Sequence, residues 1–161
     1  MPGGYRALAA LTAMTLCAYP ACLRAETIGL GVTTDPDRDA TGAALEVRWD
    51  GSLLSRPRVE AGWALGAQAD GNGNGWVGMG VAATWRIGER AFFEGSFMPG
   101  YYAAGEDPLG GDTLFRTSVG LGLDISARDA FTLSVSHFSN AGLEAYNPGA
   151  NTLALNWMRR F

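Results

Sequence analysis

FRTSVGLGLD, residues 115–124, alternates without a break: Phe115, Thr117, Val119, Leu121 and Leu123 fall on one side, Arg116, Ser118, Gly120, Gly122 and Asp124 on the other. A period of two is the signature of a β-strand, here with one apolar and one polar face. Outward from this stretch, in both directions, the same period marks segments at roughly 26–34, 41–50, 59–68, 76–87, 91–102, 130–140 and 151–161. Leu30 and Val32 share a face in the first, Leu45, Val47 and Trp49 in the second, Trp63 and Leu65 in the third, and Val77 through Trp85 and Ile87 in the fourth. In the fifth the adjacent Phe92 and Phe93 leave the facing open. Each segment is close to the about 9–11 residues with which a tilted strand crosses a bilayer.

The faces opposite the apolar ones collect Glu46, Arg48, Asp50, Glu60, Gln68, Arg86, Arg116 and Asp124. The alternation fits a soluble barrel with its apolar side inward, and it fits equally a membrane barrel with its apolar side toward lipid and a polar interior. Three features favour the second arrangement: a leader, aromatic residues at strand ends, and an alternating final strand that closes on Phe161. Residues 1–25 read as a cleaved secretory signal peptide, with Arg6 ahead of an apolar stretch from Ala7 to Ala18 and Ala25 as the cleavage point. Both cysteines, Cys17 and Cys22, lie in that leader, so the mature chain holds no thiol; a lipid-modified Cys22 is the alternative start. The expected fold is therefore all-β, an eight-stranded antiparallel up-and-down transmembrane β-barrel over residues 26–161, in the bacterial outer membrane. Short connections at 88–90 and 126–129 alternate with longer ones at 35–40, 69–75, 103–113 and 141–150, and only 51–58 is long where a short turn is expected.

A net charge of −4 with no basic run excludes a nucleic-acid partner, and no phosphate-cradling glycine loop is present. Asp70-Gly71-Asn72-Gly73-Asn74-Gly75 opens like a calcium loop, but the closing glutamate of that pattern falls on Val81, so the stretch reads as a flexible outer loop. No metal or organic cofactor is expected.

The chemistry concentrates near the C-terminus. His137, the sole histidine, and Ser139 are two residues apart on the face shared with Phe131, Leu133 and Val135. A serine hydrolase needs a base in reach of the hydroxyl, a partner that orients the base, and donors for the oxyanion. Asn151 has the parity of Leu153, Leu155 and Trp157, which puts it on the same outer face of the returning strand, where its side-chain oxygen can hold the imidazole. The competing reading of these polar residues is a capped strand end at the membrane interface. At the level of the whole protein, the corresponding rivals are a non-catalytic small barrel serving adhesion or envelope stability, and a soluble periplasmic barrel binding an apolar ligand.

The run HFSNAGL (137–143) followed by NPG (147–149), on a leader-bearing chain of this size ending in Phe161, resembles the lipid A 3-O-deacylase family, also called PagL. The motif match covers residues 137–151, and the rest agrees in barrel size, strand number and terminus. The resemblance implies an outer-membrane esterase that hydrolyses the 3-O-linked acyl chain of lipid A, with lipopolysaccharide as its partner and a homodimer left open. It implies Ser139 as nucleophile, His137 as general base, Asn147 in the oxyanion hole, and the backbone amides near Asn140 and Gly142 as helpers. Where the family pattern carries a glutamate fourteen residues after the histidine, this chain has Asn151, which can set the tautomer but supplies no charge. Glu144 in the intervening loop is the substitute carboxylate.

Overall fold

The computed structural model describes residues 25–161, so the expected leader, apart from Ala25, lies outside the described residues. Eight strands follow in order: β1 (Thr27–Asp35), β2 (Ala40–Arg56), β3 (Val59–Asp70), β4 (Gly75–Arg86), β5 (Ala91–Ala103), β6 (Thr113–Asp124), β7 (Asp129–Ser139) and β8 (Ala150–Arg160). Each pairs antiparallel with its neighbours in sequence, and β8 pairs with β1 to close a barrel. Closure satisfies every strand edge, which an open sheet in hydrocarbon cannot do.

The exterior is the apolar side. Along β7, Thr132, Ser134, Ser136 and Phe138 are buried in the lumen, while Phe131, Leu133 and Val135 are exposed. The same holds for Leu121 and Leu123 on β6 and Leu153 and Leu155 on β8. A wall of exposed aliphatic side chains around buried hydroxyls and charges inverts the arrangement of a water-soluble barrel and suits hydrocarbon. Phe92 and Phe93 divide between the two sides: Phe92 is buried inside and Phe93 faces out.

Three layers fill the lumen. Toward the end that carries the longer connections, Trp76, Met98, Leu109, Leu114 and Phe138 form an apolar plug, with Trp76 and Phe138 in edge contact at 5.4 Å. Glycines make that room: a Cβ on Gly78 would lie 2.3 Å from Trp76, and one on Gly100 2.6 Å. Beneath the plug is an ion layer in which Arg48 binds Glu46 at 2.6 Å and Glu94 at 2.9 Å, and Arg116 binds Glu46 at 3.0 Å. At the short-turn end Phe92, Ala130 and Met158 pack together. Glu46 is the carboxylate shared by both arginines, so Glu46→Ala strips a partner from each buried guanidinium at once. Loss of a buried partner costs about 3–5 kcal/mol, and the expected result is a lower urea midpoint for unfolding of the barrel in detergent micelles.

The structure revises two local expectations. Residues 51–58 are not one long connection: β2 continues to Arg56, and the turn proper is Pro57 and Arg58. Register is regained across a bulge between the pairs Trp49↔Trp63 and Leu54↔Ala61, with Gly51 at φ +72°. Opposite the bulge stands Gly62, where a Cβ would meet the Trp49 carbonyl at 1.8 Å, so only glycine lets the extra residues pass. The Asp70–Gly75 stretch is tied down instead of loose. Asp70 accepts from the amides of Asn72 (3.0 Å) and Asn74 (3.1 Å), and the buried Asn74 side chain reaches Asp107 at 2.8 Å. Its oxygen takes the Gly105 amide at 2.8 Å, so two neighbouring loops are bolted together at the mouth.

Candidate active site

β7 ends at the long-loop rim of the barrel, and its last turn of alternation places the reactive groups. Phe138 inserts into the apolar plug against Trp76. Because alternate residues in a strand point to opposite sides, anchoring Phe138 inward turns His137 and Ser139 outward. In register His137 stands between Thr117 of β6 and Asn151 of β8, while Ser139 stands beside Phe115, which stacks on Phe97 with ring centroids 5.8 Å apart. Directly below lie the exposed rows Val119, Val135, Leu153 and then Leu121, Leu133, Leu155, so the polar pair crowns an apolar wall.

His137 Nδ1 and Asn151 Oδ1 are 2.9 Å apart. An amide oxygen only accepts, so in the neutral ring this contact puts the proton on Nδ1 and leaves Nε2 with its lone pair free as a base. Ser139 is half-buried on the same face, two residues along the strand, about 7 Å from His137 backbone to backbone. No hydrogen bond joins the hydroxyl to the ring among the described residues.

The loop from Asn140 to Gly149 follows the pair and leans on the β5–β6 loop, and Asn140 organises it. Its side chain is fully buried and donates to the carbonyls of Tyr146 (2.9 Å) and Gly110 (3.2 Å), while its oxygen accepts the Gly142 amide at 2.9 Å. Ala141 is thereby held in the left-handed region at φ 54°, followed by Gly142 at φ 81°. A non-glycine residue there persists only where its surroundings over-determine it, as at a preformed site.

The candidate residues from the sequence separate under this geometry. The Asn140 amide donates to Asn147 Oδ1 at 3.1 Å and the Gly142 amide to Asn140 Oδ1, so of the amides near these residues expected to help an oxyanion, these two are engaged within the loop. The bond to Asn147 has a second effect: with its oxygen turned to the Asn140 N–H, its amide NH2 points away and, exposed, has no partner among the described residues. Glu144 is exposed and lies against the β5–β6 loop, where its Cγ would sit 3.1 Å from a Cβ on Gly111; it makes no hydrogen bond to His137. Asn151 holds the position the substitute carboxylate would have to take. The buried organising role of Asn140 escaped the sequence reading, although an asparagine just ahead of Ala141-Gly142 is a recognisable turn signal. Asn140→Ala removes three hydrogen bonds and strands two carbonyls, each worth about 1–3 kcal/mol. The barrel is expected to stay folded while the 140–149 loop becomes cleavable in limited proteolysis and conversion of the substrate falls by about 10-fold or more.

Comparison with known proteins bears on this arrangement. The profile of the lipid A 3-O-deacylase (PagL) family matches residues 42–160. A curated relative named lipid A deacylase PagL, from Bordetella bronchiseptica, is 27% identical over 103 residues, 62% of this chain and 57% of that relative, so the chain aligns with little more than half of the relative's length. Among solved structures, one described as the outer membrane enzyme PagL superposes with a TM-score of 0.72 at 18% identity, covering 84% of this chain and 99% of the other. A de novo designed transmembrane β-barrel superposes with a TM-score of 0.60 at 8% identity, covering 85% and 95%. At such identities the structural likenesses speak for the barrel alone.

Proposed function

The chain belongs to the PagL family of lipid A 3-O-deacylases, and from that we propose that it is an outer-membrane esterase that removes the 3-O-linked acyl chain of lipid A by hydrolysis. The observation that carries the reading is the His137–Asn151 contact of 2.9 Å on the lipid-facing wall, next to Ser139 at the rim. Lipid A presents its esters at the boundary between sugar and hydrocarbon, and the polar pair above the aliphatic rows lies at that kind of boundary. A site opening into the lumen would offer no such route, because the plug and the ion layer fill it.

In the proposed reaction Ser139 Oγ attacks the acyl carbonyl while His137 Nε2 takes the hydroxyl proton. Asn151 Oδ1 holds Nδ1–H through this step and keeps the ring aimed. The Asn147 NH2 donates to the oxygen of the tetrahedral intermediate, a contact that strengthens as charge builds on it. When the intermediate collapses, the imidazolium returns its proton to the departing sugar oxygen and leaves an acyl-serine. Water, deprotonated by the same ring, then frees the fatty acid. The non-catalytic barrel has no use for an oriented imidazole beside a serine, nor for a loop strained at Ala141.

The test is mass spectrometry of lipid A from Gram-negative cells with and without the protein. The expected result is loss of one ester-linked acyl chain from the 3-position. Identical acyl patterns, with the barrel shown to be folded in the outer membrane, would overturn the reading.

A further inference from the structure

Arg38, in the connection between β1 and β2, is 111 positions away in sequence from Gly149, and its Nη2 nevertheless donates to the Gly149 carbonyl. Its Nη1 is held by Asp35 at 2.7 Å, and Asp107 stands 3.9 Å from Nε. Asp35 is itself fixed, being buried at the end of β1 and accepting the Asp37 amide at 3.0 Å. The guanidinium is thus a braced strut between the first outer loop and the residue that leads into β8. β1 and β8 are paired neighbours, so the strut spans the seam where the barrel closes.

The far end of the strut touches the site. Gly149 is buried with φ +66°, and a Cβ placed on it would lie 3.0 Å from His137 Cε1 and 3.5 Å from Nε2. Gly149 therefore stands beside the Cε1–Nε2 side of the imidazole, where any larger residue would crowd the ring. Two residues later comes Asn151, whose Oδ1 meets the adjacent Nδ1. The exposed ring is thus flanked by two residues of one segment, Gly149 beside Cε1 and Asn151 on Nδ1.

We propose that Arg38 is a positioning residue for His137: by holding the Gly149 carbonyl it sets the backbone that flanks the Cε1–Nε2 side of the ring and the register from which Asn151 reaches Nδ1. The inference rests on His137 being the base of the proposed reaction, but its consequence for the ring does not. Arg38 touches neither the nucleophile nor the ring. Its guanidinium faces the lumen-side cavity with Asp35, Tyr102 and Phe138, so it acts only through the backbone. Lysine offers a single ammonium and cannot brace Asp35 and Gly149 in one plane as the guanidinium fork does, although it keeps the charge and some of the reach.

Because the chain contains one histidine, ¹⁵N-histidine labelling reports on this ring alone. In micelles the native protein is expected to show the Nδ1-protonated tautomer. Arg38→Ala should shift and broaden the ring signals toward a tautomer mixture, with Arg38→Lys between the two. Gly149→Ala should displace them by direct crowding. On lipid A in micelles, Arg38→Ala should lower kcat by about 10- to 100-fold, the range expected for a misplaced catalytic group, with KM within about twofold. A merely structural role would instead reduce the folded fraction, read as SDS-resistant barrel, and leave kcat per folded molecule unchanged. Native ring signals and native kcat in folded Arg38→Ala or Arg38→Lys would overturn the proposal. Moved ring signals with unchanged turnover would uphold the strut and reject His137 as the base, which separates this failure from that of the functional reading.

Discussion

Ser139→Ala is expected to leave lipid A fully acylated, with a loss of at least about 10³-fold in turnover, because no other primary hydroxyl stands beside His137 on that face. The neighbouring hydroxyls do not substitute. Ser134 and Ser136 are buried in the lumen, where Ser136 accepts from Arg116 at 3.2 Å, and they are separated from the lipid by the barrel wall. Thr117 is exposed on the outer face opposite His137 in β6, but its hydroxyl is secondary and belongs to a different strand from the loop that supplies Asn147. Replacing Ser139 removes a half-exposed oxygen with no hydrogen-bond partner among the described residues, so the barrel should keep its stability within about 0.5 kcal/mol. The measurement is paired: the acyl pattern of lipid A by mass spectrometry, and the urea midpoint of the purified barrel. Native deacylation by folded Ser139→Ala would end the nucleophile assignment.

Asn151→Asp is expected to make the protein faster. The replacement is nearly isosteric, so the 2.9 Å contact to Nδ1 can persist while the acceptor becomes a carboxylate. A charge-assisted hydrogen bond is roughly twice as strong as a neutral one, and the gain falls in the transition state, where the ring is an imidazolium. A gain of about 1–2 kcal/mol corresponds to about 5- to 27-fold in kcat, using about 1.4 kcal/mol per decade. This is well below the ~10⁴ lost when a serine protease exchanges its aspartate for asparagine, because part of that loss comes from a wrong tautomer. Here Asn151 already accepts from Nδ1, so the tautomer is in place and only the charge is lacking. Asn151→Ala should move kcat the other way. Turnover on lipid A in micelles for the three proteins decides the matter, and a rate for Asn151→Asp at or below the native one would reject the orienting role.

Much of the barrel was readable before any coordinates because strand facing follows from parity. Once FRTSVGLGLD is a strand, Arg116 and Phe115 must face opposite ways, and the same parity carries His137, Ser139 and Asn151 to one exterior surface. The long hairpin at 51–58 was misread because Gly51-Ser52 and Pro57-Arg58 look alike as breakers, and only pairing with Gly62 shows that the first is a bulge and the second the turn. The Asp70–Gly75 loop read as loose because its stabilising partners, Asp107 and Gly105, come from a different loop. The oxyanion donors could not be ranked from sequence either. That Asn140 and Gly142 spend their amides inside the loop follows from how Asn140 is buried beneath Tyr146 and Gly110.

From the order of residues alone came the strand count, the two faces of every strand but the fifth and the juxtaposition of the imidazole with the hydroxyl, since these depend on a local period of two that the backbone imposes wherever it is extended. Closure of the cylinder settled which side is inside, and with it the ion layer of Glu46, Arg48, Glu94 and Arg116, the direction of Glu144 and the reach of Arg38 to Gly149. Those contacts join residues from far-apart points in the chain. No local pattern encodes such distances, because they are set by the sum of all eight pairings and exist only once β8 has met β1.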